Sequence, residues 1–312
     1  MDRAGLQVSL GILFSGQGTQ HPAMLPWLEE GSAPARQPLA DIFGADWRER
    51  LADVEWAQRN AVAQPLLTAI GVGAWQVLSP KLPKPAAIAG YSVGELAAFH
   101  AAGVIDAADA VALAHERAQR MDASTGGVAT GLLSLADAPA SLIAQLCSRH
   151  GLAVAIRLGP DRMILGGSKS ALVMAMQEAI DAGATATLLA LAIASHTPWM
   201  AKAVAPFATY LESIPFLRPQ AALVCDSEAA VLWEPAELRR ALASQLAETV
   251  RWDDCMNAVA ERGVRCVLEI GAGNALSRMW NASHPTVPAR SVDEFKTSDA
   301  VARWVAGSLE HG

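Results

Sequence analysis

The spacing of apolar and polar positions divides the chain into short buried strands and longer helical stretches. Val8 to Phe14 is an apolar run of strand length that ends in a Gly16-Gln17-Gly18 loop. From Pro22 to about Asn60 the pattern is helical but irregular, with Trp27, Trp47 and Trp56 expected as core anchors. Gln64-Pro65 opens an apolar helix through Leu66, Ile70, Ala74 and Leu78, the proline sitting where a missing N–H costs no intrahelical bond. Ala86 to Ala89 then reads as a strand, Gly90 to Gly94 as a tight turn and Glu95 to Ala102 as a helix, half of a parallel βαβ unit.

The next helix, Ala107 to Met121, has its start signal in Asp106, with Asp109 three residues later. Its phase is informative. At about 100° per residue, Val111, Leu113, Ala110, Ala114, Ala118 and Met121 share one arc, and Arg117 falls inside it. A cation on a core-facing arc needs a partner.

From Gly126 the pattern changes to strand (Leu132–Leu135), helix (Pro139–His150), a hairpin (Leu152–Leu158 and Met163–Leu165), helix (Ser168–Ala182) and strand (Thr185–Leu189). This β-α-β-β-α-β order is that of a ferredoxin-like α+β unit. The expected organisation is therefore a large α/β domain, residues 1–125 and 191–312, with a small ferredoxin-like domain, residues 126–190, inserted in it. Past the insertion, Ala194-Ser195-His196-Thr197-Pro198 begins a helix, Ala221 to Cys225 is a strand, and Pro235 to about Glu248 is helical. Val264 to Ile270 is a further strand, closing on Gly271-Ala272-Gly273 before a helix from Asn274.

Composition narrows the function classes. The uninterrupted apolar runs, such as Leu188 to Ala194, fall short of the roughly 20 residues of a spanning helix, so no membrane segment is expected. The opening MDRAGLQVSLGILF lacks a small-residue cleavage site and is expected to be a strand, not a signal peptide. Cys147, Cys225, Cys255 and Cys266 are scattered, which suits neither a metal site nor a disulfide framework and points to a reducing cytoplasm. The net charge of −7 gives no footprint for nucleic acid.

Gly90-Tyr91-Ser92-Val93-Gly94 between strand and helix is the arrangement that exposes a serine hydroxyl on a sharp turn at a helix N-terminus. The N–H after such a serine can help hold an oxyanion. A nucleophilic serine needs a base, and the chain has seven histidines. His100 lies on the same helix, about 12 Å from Ser92 at 1.5 Å per residue, and is too far. His115 falls on the polar arc of its helix, and His21, His150 and His311 are expected at the surface. His196, at a helix start after an apolar run, and His284, in a polar loop, both remain.

Phe14-Ser15-Gly16-Gln17-Gly18-Thr19-Gln20, Gln64-Pro65, Gly90-Tyr91-Ser92-Val93-Gly94-Glu95, Arg117, Ser195-His196 and Gly271-Ala272-Gly273 together resemble, in order and spacing, the malonyl-CoA:acyl-carrier-protein transacylases. The resemblance covers nearly the whole chain. It implies an α/β-hydrolase-like large domain with a parallel sheet plus the inserted ferredoxin-like domain. It further implies Ser92 as nucleophile, His196 as base, and Gln245 orienting that base largely through its main-chain carbonyl. The N–H groups of Gln17 and Val93 would form the oxyanion hole, Arg117 would pair with the malonyl carboxylate, and Gln64, Tyr91 and Ser195 would line the pocket. No bound cofactor or metal is implied. The substrate would be malonyl-CoA, and the acceptor the thiol of an acyl carrier protein.

Tyr91 and Val93 depart from the usual histidine and leucine around the serine, and Leu158 replaces an asparagine often found before the hairpin proline. Gly-Tyr-Ser-Val-Gly-Glu, Ile-Ala-Ser-His-Thr and the late Ala-Arg-Ser-Val-Asp-Glu-Phe look more like the epsilon subunit of bacterial malonate decarboxylase. That resemblance implies a carrier with a phosphoribosyl-dephospho-CoA arm in place of phosphopantetheine. The alternatives are the fatty-acid-synthesis transacylase, a serine esterase using His284 with Asp226 or Asp253, and a nucleotide-binding module at Gly271-Ala272-Gly273 with Asp293.

Overall fold

The computed structural model describes residues 9–18, 20–31 and 33–311, with the side chains of Pro22 and His311 left aside. Val8 and Thr19, which the sequence places in the first strand and the loop after it, lie outside the described residues.

Among the described residues, eleven strands form two sheets: β1 (Leu10–Phe14), β2 (Ala87–Gly90), β3 (Thr130–Ala136), β4 (Ala153–Gly159), β5 (Arg162–Ser168), β6 (Thr185–Leu188), β7 (Ala222–Cys225), β8 (Ala230–Leu232), β9 (Val250–Arg251), β10 (Cys266–Ile270) and β11 (Ala289–Ser291). The larger sheet has the order β11-β10-β1-β2-β7-β8 and is parallel except where β8 turns back on β7. Helices cover it on both sides, so β1, β2, β7 and β10 are buried throughout. That two-sided burial explains why they read as continuous apolar runs without alternation.

Register sets the site's location. Phe14 pairs with both Ile270 and Gly90, so β10, β1 and β2 end level with one another. Ala89 pairs with Val224, which brings the end of β7 alongside as well. The loops leaving these four strands converge on one rim, the carboxyl end where parallel α/β sheets form their crevices.

The second sheet, β6-β3-β5-β4-β9, carries the helices Ala140–His150 and Lys169–Asp181 around a separate apolar core that includes Leu133, Leu146, Leu165 and Leu172. Residues 130–188 thus follow the β-α-β-β-α-β order read from the sequence. The two-residue β9, from far along the chain, extends this sheet by pairing parallel to β4 at Ile156 and Arg157.

Several expectations need correction. Pro65 does not open its helix, which runs Asn60–Leu78 with the proline as its sixth residue. The turn before it is held by side chains: Asn60 Nδ2 donates to Ala118 O and Asp122 Oδ1, and Gln64 Nε2 donates to Asn60 Oδ1 at 2.6 Å. That extra length also makes residues 60–81 long and apolar enough to cross a membrane, with mean hydropathy 1.4 in an 18-residue window, but 78% of that window is buried inside the protein. The helix from Pro235 stops at Ser244, short of Glu248, because the chain turns into β9. His115 is half-buried, its ring edge-on to Phe43 at 6.4 Å, not solvated. Trp27, Trp47 and Trp56 are buried as expected.

Candidate active site

Ser92 follows β2 on a turn that only small neighbours permit. A Cβ on Gly90 would lie 2.3 Å from Glu95 N, and one on Gly94 would lie 2.4 Å from Phe14 O, both backbone atoms. Ser92 itself takes φ +55° and His196 φ +61°, left-handed conformations that are strained for side-chain-bearing residues. Two such residues facing one another mark a site that the surrounding structure over-determines.

Ser92 Oγ lies 2.7 Å from His196 Nε2, and His196 Nδ1 lies 2.7 Å from the Gln245 main-chain oxygen. A carbonyl can only accept, so Nδ1 carries the proton and Nε2 is left bare, ready to take the serine proton. Burial pushes the imidazole pKa down to about 3, and the nearby Arg117 charge adds to that, against the Gln245 carbonyl. His196 is therefore a neutral base at any ordinary pH. His196 N–H also donates to Leu246 O, which fixes its backbone to the same segment as Gln245.

Arg117, 1% exposed, points inward as its helical phase predicts. Its Nη1 donates to Gln64 Oε1 and its Nη2 to Gln245 Oε1, each at 2.7 Å, while buried Nε has no hydrogen-bond partner. The two acceptors are neutral amides. Burial lowers the guanidinium pKa to about 10, opposed by the charges of Asp226 and Glu95. A buried cation held by amides, with a donor to spare, is suited to a visiting carboxylate.

Gln17, Gln64, Tyr91, Ser92, Arg117, Ser195 and His196 line one narrow pocket of about 60 Å³, together with apolar residues that include Met121, Leu132 and Ile164. The structure thus brings together the side chains singled out from the sequence, on elements from residue 17 to residue 196. Gln17, Tyr91, Ile164, Leu189 and Leu191 also border a wider, mainly apolar cleft of about 690 Å³. Val93 lies under the serine as the helix N-cap, and Tyr91 packs edge-on against Trp252 at 5.1 Å.

His21, His100, His150 and His284 are used elsewhere. His100 Nδ1 meets Ile105 O at 3.2 Å, His150 meets Glu178 at 2.8 Å and His21 meets Asp293 at 2.6 Å. His284 stacks on Trp280 and contacts Asn257, so it is not the partner of Ser92. Asp253 binds Arg157, and Asp226 contacts the Ser92 N–H, not a histidine. The esterase triad is therefore not assembled. At Gly271-Ala272-Gly273, Asp293 accepts from Gly273 N–H at 2.5 Å, so the acid that a dinucleotide loop would offer to a ribose is spent internally.

Two further polar groups belong to the site: Asp226, which the sequence offered only as an esterase acid, and Glu95, which it offered only as part of the serine motif. Asp226, fully buried, follows β7, and Glu95, 1% exposed, is in the first turn after Ser92. The available signal was an acid immediately after a buried strand that ends on the same rim.

Residues 12–309 match the acyl transferase domain family. A malonyl CoA-acyl carrier protein transacylase from Mycobacterium bovis is 33% identical over 301 residues, covering 94% of this chain and 99% of that protein. The crystal structure of MCAT from Mycobacterium tuberculosis superimposes with a TM-score of 0.84 at 31% identity, covering 94% of this chain and 99% of that one. A malonyl-transacylase solved in complex with its type II PKS acyl-carrier protein gives a TM-score of 0.86 at 27% identity, covering 97% of this chain and all of that one. On the match of its sequence from β1 to the last helix, the chain belongs to the acyl transferase domain family.

Proposed function

We propose that this protein moves a malonyl group from malonyl-CoA to the thiol of an acyl carrier protein through a malonyl ester on Ser92. The observation that carries this reading is a neutral histidine on the serine hydroxyl in the same pocket as a buried arginine held only by amides. His196 Nε2 takes the proton as Ser92 Oγ attacks the thioester carbonyl, and the N–H groups of Gln17 and Val93 hold the oxyanion. Collapse breaks the carbon–sulfur bond, and the same proton passes from His196 to the departing CoA sulfur. The carrier thiol then attacks the ester, giving its proton to His196, which returns it to Ser92. Arg117 takes the malonyl carboxylate, and an acyl group without one leaves a buried charge unpaired.

The relatives named above are acyl carrier protein transacylases, which favours a carrier with a phosphopantetheine arm, as in fatty-acid synthesis. Tyr91, Val93 and the Ala-Arg-Ser-Val-Asp-Glu-Phe segment support the other acceptor, the malonate decarboxylase carrier with its phosphoribosyl-dephospho-CoA arm. Offering the malonylated enzyme both carriers and comparing transfer rates decides between them. We take residues 126–190 as an inserted ferredoxin-like domain on an α/β-hydrolase-like body, a reading supported by the strand order β6-β3-β5-β4. His196→Ala is expected to abolish transfer and His284→Ala to leave it near wild type; the reverse outcome overturns this reading in favour of an esterase.

A further inference from the structure

The acid that a catalytic triad would place on the histidine is absent from His196, yet a buried carboxylate stands beside the nucleophile itself. Asp226 Oδ2 accepts the Ser92 N–H at 2.8 Å. The Asp226 N–H donates to Glu95 Oε1 at 2.8 Å, and Glu95 Oε2 accepts from Gln245 Nε2 at 2.6 Å. Gln245 Nε2 is also 3.1 Å from Ser92 O, and Gln245 O holds His196, which returns to Ser92 Oγ. These contacts close a ring in which both ends of the Ser92 residue, its N–H and its C=O, are clamped from outside its own helix.

We propose that Asp226 is a positioning residue of the transfer, holding the Ser92 backbone in its left-handed conformation so that Oγ meets His196, with Glu95 and Gln245 closing the clamp. The proposal rests on the acyl-transfer reading above and adds a residue to it. Three observations support it. Ser92 has φ +55°, which costs free energy unless an external contact holds it. Its N–H is directed to Asp226, and so away from the oxyanion hole, which leaves that task to other N–H groups. The two acids are fully buried on a rim where a purely structural fold would place apolar residues, a costly arrangement without a role for their acceptors.

The test is the rate of Ser92 acylation by malonyl-CoA, without carrier, in wild type, Asp226→Ala and Asp226→Asn, read by intact mass alongside KM and melting temperature. Loss of the clamp misplaces the hydroxyl, so Asp226→Ala is expected to acylate about 10²-fold more slowly with KM changed less than about threefold. Asparagine keeps an acceptor oxygen and is expected to recover most of that rate. An Asp226→Ala enzyme as fast as wild type, an Asn variant as slow as the Ala variant, or a loss carried by KM overturns the proposal. If Asp226→Ala does not fold, Glu95→Gln replaces it: its amide N–H₂ would face the Gln245 donor, so kcat falls at constant KM, and an unchanged kcat overturns the proposal. Labelling of Ser92 by a small fluorophosphonate runs in parallel. Wild-type labelling without any malonyl adduct counts against the malonyl reading, and the labelling rates of the variants still decide the role of Asp226.

Discussion

His196 is oriented by a main-chain carbonyl, not a carboxylate, and this has a consequence for pH. A histidine pKa depressed to about 3 means that the base is neutral above that value, so kcat/KM loses nothing to its protonation as pH falls through 6.5. Burial raises the Asp226 carboxyl to about 7, which puts a titration near neutrality beside the nucleophile. An inflection near pH 7 that disappears in Asp226→Asn fits this assignment; one that survives in the variant contradicts it. Arg117→Ala is expected to lower malonyl transfer by about 10²-fold, the scale of a lost charge-assisted pair in a buried site, while sparing acetyl transfer. Equal losses for both acyl groups in a steady-state comparison would make the arginine structural. At this scale much was legible: helical phase places Arg117 in the core, and strand-turn-helix context exposes Ser92. Residue pattern alone left both His196 and His284 open; the family resemblance pointed to His196, and the fold places it on Ser92 Oγ. The contacts of Asp226 and Glu95 were not legible, because accepting from backbone N–H and amide groups leaves no residue pattern.

Among the elements, the turn between β2 and the helix Gly94–Ala101 carries the geometry, pressed against the end of β1. Gly94→Ala would set a methyl 2.4 Å from Phe14 O and 2.6 Å from Ser15 O, and β1 is locked between two parallel neighbours. A cost of about 1–3 kcal/mol is expected from such overpacking, together with slower Ser92 acylation, because relief requires the turn to lift. Denaturant unfolding and acylation kinetics check both halves; an alanine variant as stable and active as wild type would show that the packing there is loose. Long elements were readable from their period, and the capping signal at Asp106 is realised in its 2.7 Å contact with Asp109 N. β8, β9 and β11, of two or three residues, are too short for any period to show. Pro65 misled because the side chains of Asn60 and Gln64 support a helical turn ahead of it.

For the whole molecule, the site is a sheet rim that gathers residues separated by more than two hundred positions along the chain, and it contains buried acids that burden stability. Asp226 has a folded pKa near 7 against 3.8 unfolded, so the folded state binds more protons between those values. Its contribution is fully present below about pH 4 and is lost as pH rises through 7. Glu95 and Glu269 are raised by burial in the same sense, while His196, lowered by burial, acts oppositely below 6.5. Comparing wild type with Asp226→Asn isolates one term: the asparagine variant should gain relative stability between pH 4.5 and pH 8 by on the order of 1–3 kcal/mol. Urea unfolding at the two pH values measures it, and an equal gap at both contradicts the assignment.

The central claim is that Ser92 carries the acyl group between two thiols. Intact-mass measurement of the wild-type protein after mixing with malonyl-CoA alone tests it most directly. The account predicts a persistent adduct of one malonyl group, mapped to Ser92, absent from Ser92→Ala and discharged on adding a carrier thiol. A wild-type protein that releases CoA and stays unmodified would contradict it.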